Sequence, residues 1–498
     1  MPIDLRQQAQ ALIGAKKFAE ARTVLVKICE QSPDDVAAWN QCAALHAALG
    51  EYAECEACCR AVAGRQPNTP WAWYNLGNAL SFQKKFDEAE SVYRRAIRLA
   101  PTFADAHNNL GNILREKKQL AEAERCYREA LVHRPDYPNA LANLGLVFYE
   151  TQRVSEARNF FERALRIAPD NTTALFGLGK ALAESGQLRA GQERLERVVE
   201  IEPNNAEAWI ALGSLYAQGK QHGKGITACE RAIALQPENA DARVNLGFIH
   251  QTLGRIDDAE KMYREALRLN PDMASARYFL AAIGREAAPG QTPAEYVRSL
   301  FDEYAERFDS HLVETLEYRA PELLEAAVRR IMSGNATAGL DVLDLGCGTG
   351  LGGARYRDLA RRLIGVDLSP KMIAKARERG VYDELVVGDV MEPLRNRIAA
   401  FDLVIAADVF IYIGDLGEIV HAVAVALREG GVFAFSTETD DIARHFTLRA
   451  SGRYAHARAY VAELARSEGL EALVTEGLIL RKDAGEPIHG YIHVLRKA

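Results

Sequence analysis

Apolar and polar positions along the first 285 residues recur with a single period. Pro33, Pro67, Pro101, Pro135, Pro169, Pro203, Pro237 and Pro271 stand 34 residues apart, the period of the tetratricopeptide repeat. In the same frame Leu76, Leu110, Leu144, Leu178, Leu212, Leu246 and Leu280 share one position, and Gly77, Gly111, Gly145, Gly179, Gly213 and Gly247 follow them. Further on come Ala89, Ala123, Ala157 and Ala259, then Tyr93, Tyr127, Phe161 and Tyr263 four positions later. Spacings of three and four place these on one helical face. The small residue lets two antiparallel helices approach, and leucine and aromatic side chains fill the space between pairs. Eight repeats over residues 2–273, closed by a helix near 274–285, predict an all-α, right-handed superhelical solenoid. The first repeat lacks an obvious Leu-Gly pair and reads as a cap.

The pattern then changes. Residues 286–293 carry Pro289, Gly290 and Pro293 and suit a linker. From 294 onward Leu300, Tyr304, Phe308, Leu312 and Leu316 recur every four positions, predicting amphipathic helices that act as a lid. Beyond it come short apolar runs, Val342 to Leu345, Arg362 to Val366, Glu384 to Val387, Leu403 to Ala406 and Gly431 to Ser436. Such runs suit parallel strands buried on both faces. Ser369 and Pro370 start a helix that Gly380 stops. Two last strands, roughly Glu471 to Arg481 and Ile488 to Arg496, predict a closing antiparallel hairpin. The expected architecture is thus two-domain: a solenoid over 1–285, a linker, and an α/β Rossmann-like domain over 294–498.

Candidate chemistry gathers at Asp341 to Gly353, DVLDLGCGTGLGG. Gly346, Gly348 and Gly350 allow a tight turn and a close approach of backbone to a ligand. Gly348, Gly350 and Gly353 also satisfy the G-x-G-x-x-G pattern of dinucleotide sites, so the turn alone is ambiguous. Context adds Asp344 two residues before the first glycine, Asp367 closing the second strand, and Asp389 after the third. An acid at the second strand end accepts ribose hydroxyls. One after the third can accept from an adenine amino group.

The stretches DVLDLGCGTG, GVDLSPKMIAKARERG, ELVVGDV, FDLVIAADVFIYIGDL and LREGGVFAFSTE resemble the successive motifs of class I S-adenosylmethionine-dependent methyltransferases. The resemblance covers roughly the last two-fifths of the chain. With the repeats, it is similar to a bacterial group of tetratricopeptide methyltransferases. It implies S-adenosylmethionine as cofactor. Gly346, Cys347, Gly348 and Gly350 would hold its methionine part, Asp344 its amino group, Asp367 and Leu368 the ribose, and Asp389 with Val390 the adenine.

At the acceptor side, Asp408 and Tyr412 follow the fourth strand, with Asp408 a candidate general base. No [Asn/Asp]-Pro-Pro-[Tyr/Phe] motif stands there, against methylation of amide or exocyclic amino groups. Arg453, Tyr454 and His456 can orient a polar acceptor; His456 can remove a proton and Arg453 can pair with an anion. Tyr304, Phe308, His311 and Tyr318, in a segment similar to one in the same bacterial group, are further candidates to cover the cofactor or touch substrate. Gln41, Asn75, Asn109, Asn143 and Asn245 occupy the position before the repeat leucine, facing the concave groove. Such amides can hold an extended peptide backbone. They resemble the asparagine ladder of the O-linked N-acetylglucosamine transferase superhelix, interrupted here by Gly177 and Ala211.

Composition narrows the partners. A net charge of −7 gives no support for nucleic-acid binding. No cationic leader and no run of ~20 apolar residues is present, so the expectation is a cytoplasmic protein without a membrane span. Eight scattered cysteines are expected as reduced thiols, and Cys55 and Cys58 lack a second pair, so no metal is expected. A protein or peptide bound by the repeats is the favoured acceptor or partner; a small-molecule acceptor with the repeats serving assembly, or a non-catalytic scaffold, are the alternatives.

Overall fold

The structure, a computed structural model, describes residues 5–305, 308–310, 318–332, 339–483 and 486–498. Its first seventeen helices form eight pairs and one closing helix. The pairs are α1/α2 (Leu5–Gly14, Phe18–Gln31), α3/α4 (Val36–Ala48, Tyr52–Arg65), α5/α6 (Pro70–Phe82, Phe86–Leu99) and α7/α8 (Ala104–Glu116, Leu120–His133). They continue as α9/α10 (Pro138–Glu150, Val154–Ile167), α11/α12 (Thr172–Glu184, Leu188–Ile201), α13/α14 (Ala206–Gln218, His222–Leu235) and α15/α16 (Ala240–Thr252, Ile256–Leu269), closed by α17 (Ala274–Ala282). The 34-residue period therefore yields the expected tetratricopeptide pairs. The chain divides into two compact units, Met1–Ala181 with Glu200–Glu202, and Leu182–Val199 with Pro203–Ala498.

Four pairs, α5/α6, α7/α8, α9/α10 and α15/α16, close on a ring-over-glycine contact, whereas in α13/α14 Gly213 meets the Cys229 sulfur. A Cβ on Gly111 would lie 2.6 Å from the ring of Tyr127, and one on Gly77, Gly145 or Gly247 would meet Tyr93, Phe161 or Tyr263 equally closely. These aromatic residues are fully buried. The repeat prolines have a further use. Trp39, Trp73 and Trp209 donate their indole N–H to the carbonyls of Pro33, Pro67 and Pro203, tying each helix start to the preceding turn.

The linker is stitched down. Gly290 O accepts from Gly414 N and Asp415 N at 2.8 and 2.9 Å, and Thr292 N donates to Tyr412 O. Helices α18 (Ala294–Tyr304), α19 (Phe308–Ser310) and α20 (Ala320–Met332) follow. Then come β1 (Leu340–Leu345), β2 (Ala360–Asp367), α21 (Pro370–Arg379), β3 (Glu384–Val387), β4 (Phe401–Ala406), α22 (Gly417–Ala426) and β5 (Leu427–Thr439). The chain ends with β6 (Phe446–Leu448), β7 (Tyr454–His456), α23 (Arg458–Ser467), β8 (Leu470–Asp483) and β9 (Glu486–Lys497).

Strands β3, β2, β1, β4 and β5 pair in that order, all parallel. β9 runs antiparallel to β5 and carries β8 at its far edge, the expected hairpin. Alternation sorts the strands' side chains to two cores: Leu343, Leu345 and Val404 pack on one face, Val342, Leu403 and Ile405 on the other. The sequence reading missed the short β6–β7 hairpin, which pairs with β5 at Glu438 and Thr439. Among the described residues no helix is long and apolar enough to cross a membrane.

Substituting Gly111→Ala should force the Tyr127 ring aside and lower stability by about 1–3 kcal/mol. Urea unfolding followed by circular dichroism measures it. An unchanged midpoint would show that the ring yields freely.

Candidate functional site

Parallel strands leave their carboxyl ends together, and the turn after β1 lies between the tips of β1 and β2. Gly346 and Gly348 adopt φ of 63° and 53°, the left-handed region that suits glycine. A Cβ on Gly346 would also come within 2.6 Å of Val409. Cys347 N donates to Val366 O at 2.9 Å, and Gly348 N donates to Asp367 Oδ2 at 3.0 Å. These bonds fix the turn against β2.

Asp367 Oδ1 accepts from Ser369 N at 2.8 Å. Burial pushes its carboxyl up to about 6, the Ser369 and Gly348 N–H groups pull it down, and nearby Asp302 adds to the rise. Asp389 Oδ1 accepts from Met391 N at 2.9 Å, a local turn that sets its orientation. Gly346, Gly348, Asp367, Leu368, Asp389 and Val390 all line one cavity of about 740 Å³.

Three of the expected cofactor residues stand behind the turn instead of on the cavity. Asp344, expected to meet an amino group, accepts from Tyr382 OH at 2.7 Å and is buried. Burial is also the main cause that lifts its carboxyl to about 7. It supports the turn from below. Cys347 packs its thiol toward Gly365, and burial raises that thiol well above its ordinary value. Gly350 faces Tyr382 and Arg379. Their side chains, or the space a side chain would need, belong to the turn's underside.

The described helices of the segment expected as a lid are pinned to the turn and to α21. On α18, Asp302 Oδ1 accepts from Ser369 Oγ at 2.5 Å. On α19, Asp309 accepts from Thr349 Oγ1 and Arg379 Nη2, both at 2.5 Å. Phe301, Tyr304 and Phe308 form edge-to-face contacts above the turn, and Phe301 meets Tyr412 with centroids 5.5 Å apart. Tyr304 lines the cavity as expected. His311, Leu312 and Leu316 lie outside the described residues.

Asp408, Tyr412, Arg453, Tyr318 and Arg481 also line the cavity. Asp408 has φ of 55° for a residue with a side chain, a strained conformation often tied to function. Its Oδ1 accepts from Ser436 Oγ at 3.2 Å, and its Oδ2 pairs with Arg481, whose other arm pairs with Glu438. With both oxygens engaged, Asp408 orients Arg481 and is poorly placed as the base that the sequence suggested. Tyr412 keeps its phenol proton: burial raises it, while Arg453 and Arg481 pull the other way.

His456 and Tyr454 must be reassigned. Both lie on β7, fully buried and off the cavity. His456 Nε2 donates to the carbonyls of Ile413 and Gly414, at 2.9 and 3.0 Å, and burial lowers the ring to about 4. Tyr454 OH donates to Pro289 O at 2.7 Å. These side chains brace the linker and the loop after β4. The signal for them was the undetected strand.

Helices of the last repeats also line the cavity, through Gln218 on α13 and Asp241, Asn245 and Phe248 on α15. Gln251 Nε2 donates to Ala450 O at 2.8 Å, and Tyr278 OH donates to Gly452 O, holding the loop that carries Arg453. The amide ladder is altered. Asn109 spends both amide hydrogens on Asn78 Oδ1 and Tyr74 OH, and Asn143 spends both on Asn108 Oδ1 and Asn112 Oδ1. They bond repeat to repeat. Gln41 and Asn75 are exposed, and Asn245 alone of the five faces the cavity.

Comparison with known proteins agrees with this geometry. Residues 343–435 match the model of a methyltransferase domain, residues 215–283 a tetratricopeptide repeat, and residues 4–245 the C-terminal domain of cilia and flagella-associated protein 70. A probable S-adenosylmethionine-dependent methyltransferase of Mycolicibacterium smegmatis is 38% identical over 20% of this chain and 38% of its own length. A malonyl-[acyl-carrier protein] O-methyltransferase of Yersinia pestis is 29% identical over 30% of this chain and 52% of its own. The chain thus spans between about a third and a half of these relatives. The solved structure of PilF from Pseudomonas aeruginosa is 20% identical, with a TM-score of 0.40, over 44% of this chain and 99% of that one. The implied cofactor is S-adenosylmethionine, and the cradle fits it: a backbone turn that rejects a Cβ, with Asp367 and Asp389 on the same cavity.

Protonating Asp367 removes an acceptor for ribose hydroxyls, so the carboxylate is the binding form. Affinity for S-adenosylmethionine should fall as pH drops from about 7 to about 5, by up to about tenfold per unit below the carboxyl's value. Calorimetric titration checks it. Asp367→Asn should bind weakly with a flat profile; a flat wild-type profile would contradict the assignment.

Proposed function

For a chain that joins tetratricopeptide repeats to a class I methyltransferase domain, we propose S-adenosylmethionine-dependent methylation of a carboxylate on an extended acceptor carried by a protein or peptide. The supporting observation is the cavity itself, lined at once by the glycine turn, by Arg453 and Arg481, and by Asn245 and Phe248 of the repeats. When bound, the cofactor supplies a methyl group on a cationic sulfur, which departs as a neutral thioether. Gly346 and Gly348 would cradle its amino-acid end, Asp367 its ribose, and Asp389 with Val390 its adenine. Phe301, Tyr304 and Phe308 exclude water from above.

The acceptor's chemistry follows from what stands beside that site. Among the described cavity residues the sequence's candidate bases are spent: Asp408 is paired with Arg481, and His456 is buried elsewhere. An acceptor that arrives ionised needs no base. Arg453 and Tyr412 can hold one carboxylate oxygen while the other attacks. The new O–CH₃ bond forms as the S–CH₃ bond breaks, and no proton moves. Alignment in a dry site then supplies most of the acceleration, as proximity can contribute about 7 to 11 kcal/mol. The relative from Yersinia pestis is named for methylating a malonyl group on an acyl carrier protein, which favours this reading.

The walls favour a tethered acceptor over a compact one. Phe248, Phe279, Val244 and Val297 make an apolar passage, with Gln218, Asp241 and Asn245 supplying amide and carboxylate groups along it. Such a passage suits an extended chain whose carboxylate end reaches the cofactor. In this reading the repeats select the acceptor.

The test uses the full chain, a labelled methyl donor, and acyl groups or peptides with a free carboxylate against their amides. Label released as methanol by mild alkali is expected from the carboxylates only. Arg453→Met should lower kcat/KM about 10- to 100-fold, the value of a lost charge-assisted contact. Alkali-stable label, or preference for free phenols, would overturn the carboxylate reading. Equal use of small untethered acids would favour a small-molecule enzyme.

A further inference from the structure

The second repeat breaks the apolar pattern at one place. On the first helix of other repeats, Leu76 and Leu80, Leu110 and Leu114, and Leu178 and Leu182 form a leucine pair four residues apart. One period earlier, on α3, those two positions hold Cys42 and His46. Cys58 on α4 lies beside them. The two sulfurs and a ring nitrogen of His46 are within 4.8 Å of one another, and all three residues are buried.

Surroundings make this more than a cluster of small apolar thiols. His46 Nδ1 is 2.7 Å from Glu51 Oε2, and the other Glu51 oxygen pairs with Arg22. A carboxylate at Nδ1 holds the proton there and leaves the Nε2 lone pair as the ligand, the usual arrangement behind a metal-bound imidazole. Cys29 on α2 shares a hydrogen bond with Cys42; its sulfur stands outside the 4.8 Å group and joins it by a larger side-chain rotation. Replacing leucine by histidine in a repeat core is costly unless the ring gains partners on both sides.

We propose that Cys42, His46 and Cys58, with Cys29 as fourth ligand, form a structural zinc site that ties α2 of the first repeat to α3 and α4 of the second. Sulfur and imidazole donors in a closed set of four suit tetrahedral zinc. Zinc bond lengths place ligand atoms about 3.5 to 3.8 Å apart in a tetrahedron. Side-chain rotations closing the cluster by about an ångström reach that spacing. Three thiolates leave the filled site with one negative charge, beside an Arg22–Glu51 ion pair that is itself neutral. The place is sensible for a staple. Its ligands come from α2 of one repeat and α3 and α4 of the next, so a bound ion would tie two repeats together. None of this depends on the methyl-transfer reading.

The test is the metal content of the untagged full chain, purified under reducing conditions without chelator. About one zinc per chain is expected, with cobalt(II) exchange giving sulfur-to-metal charge-transfer bands and the intense d–d bands of a tetrahedral site. The double variant Cys42→Leu with His46→Leu restores the pair carried by other repeats, so it should keep its helical circular dichroism while zinc falls at least about tenfold. Cys126→Ser, outside the cluster, should retain zinc. A metal-free wild type that gives no cobalt bands would overturn the proposal, as would a folded double variant that binds zinc as before.

Discussion

A chain reversal between the tips of two buried parallel strands is the constraint on which the C-terminal domain depends. It must be tight, it must present backbone to the ligand, and it must leave the neighbouring strand's acid on the same cavity. Gly346 and Gly348 meet the first two demands, and the Gly348 N–H on Asp367 meets the third. The rest is support. Asp344 and Tyr382 hold the turn from beneath, Thr349 ties it to Asp309 of the lid, and Val409 closes against Gly346 from the β4 side. A carboxylate buried beneath such a turn is electrostatically expensive, as its raised proton affinity shows. That cost is accepted because the Tyr382 hydroxyl and the Gly353 N–H need a fixed partner there.

The repeats obey a simpler rule, a small residue at the crossing of two helices, with a glycine under an aromatic ring in four of the pairs. What gives the last repeats a further use is their place in the same compact unit as the sheet. The linker's Gly290 and Thr292 are bonded to the loop after β4, His456 and Tyr454 brace it, and Gln251 and Tyr278 secure the loop bearing Arg453. Every one of these bonds involves a backbone carbonyl or N–H. The wall of the cavity is therefore set by main-chain geometry, which tolerates little movement without losing buried hydrogen bonds.

The repeat period, the strands and the acids at their ends were legible because each rests on local pattern: proline spacing, apolar runs, glycine turns. Asp367 and Asp389 were singled out in this way, Leu368 and Val390 by the family resemblance, and all four line the cavity. The sequence could not show that Asp344 is bonded by Tyr382, 38 residues on, because a strand-end acid before a glycine turn can face either side. His456 looked reactive beside Arg453, yet three residues of unrecognised strand bury it. Arg481 went unnoticed because it sits in a strand far from every motif, and its partners Asp408 and Glu438 come from other strands. The asparagine ladder was legible as a pattern, but the pattern could not show that Asn109 and Asn143 bond to neighbouring repeats.

A crystal structure of the full chain with S-adenosylhomocysteine tests the central claim most directly. The account predicts the ribose hydroxyls on Asp367, the adenine beside Asp389 and Val390, and the sulfur directed along the cavity toward Tyr412 and Arg453. A nucleoside bound away from Asp367, or a sulfur pointing away from the passage lined by the last repeats, would contradict it.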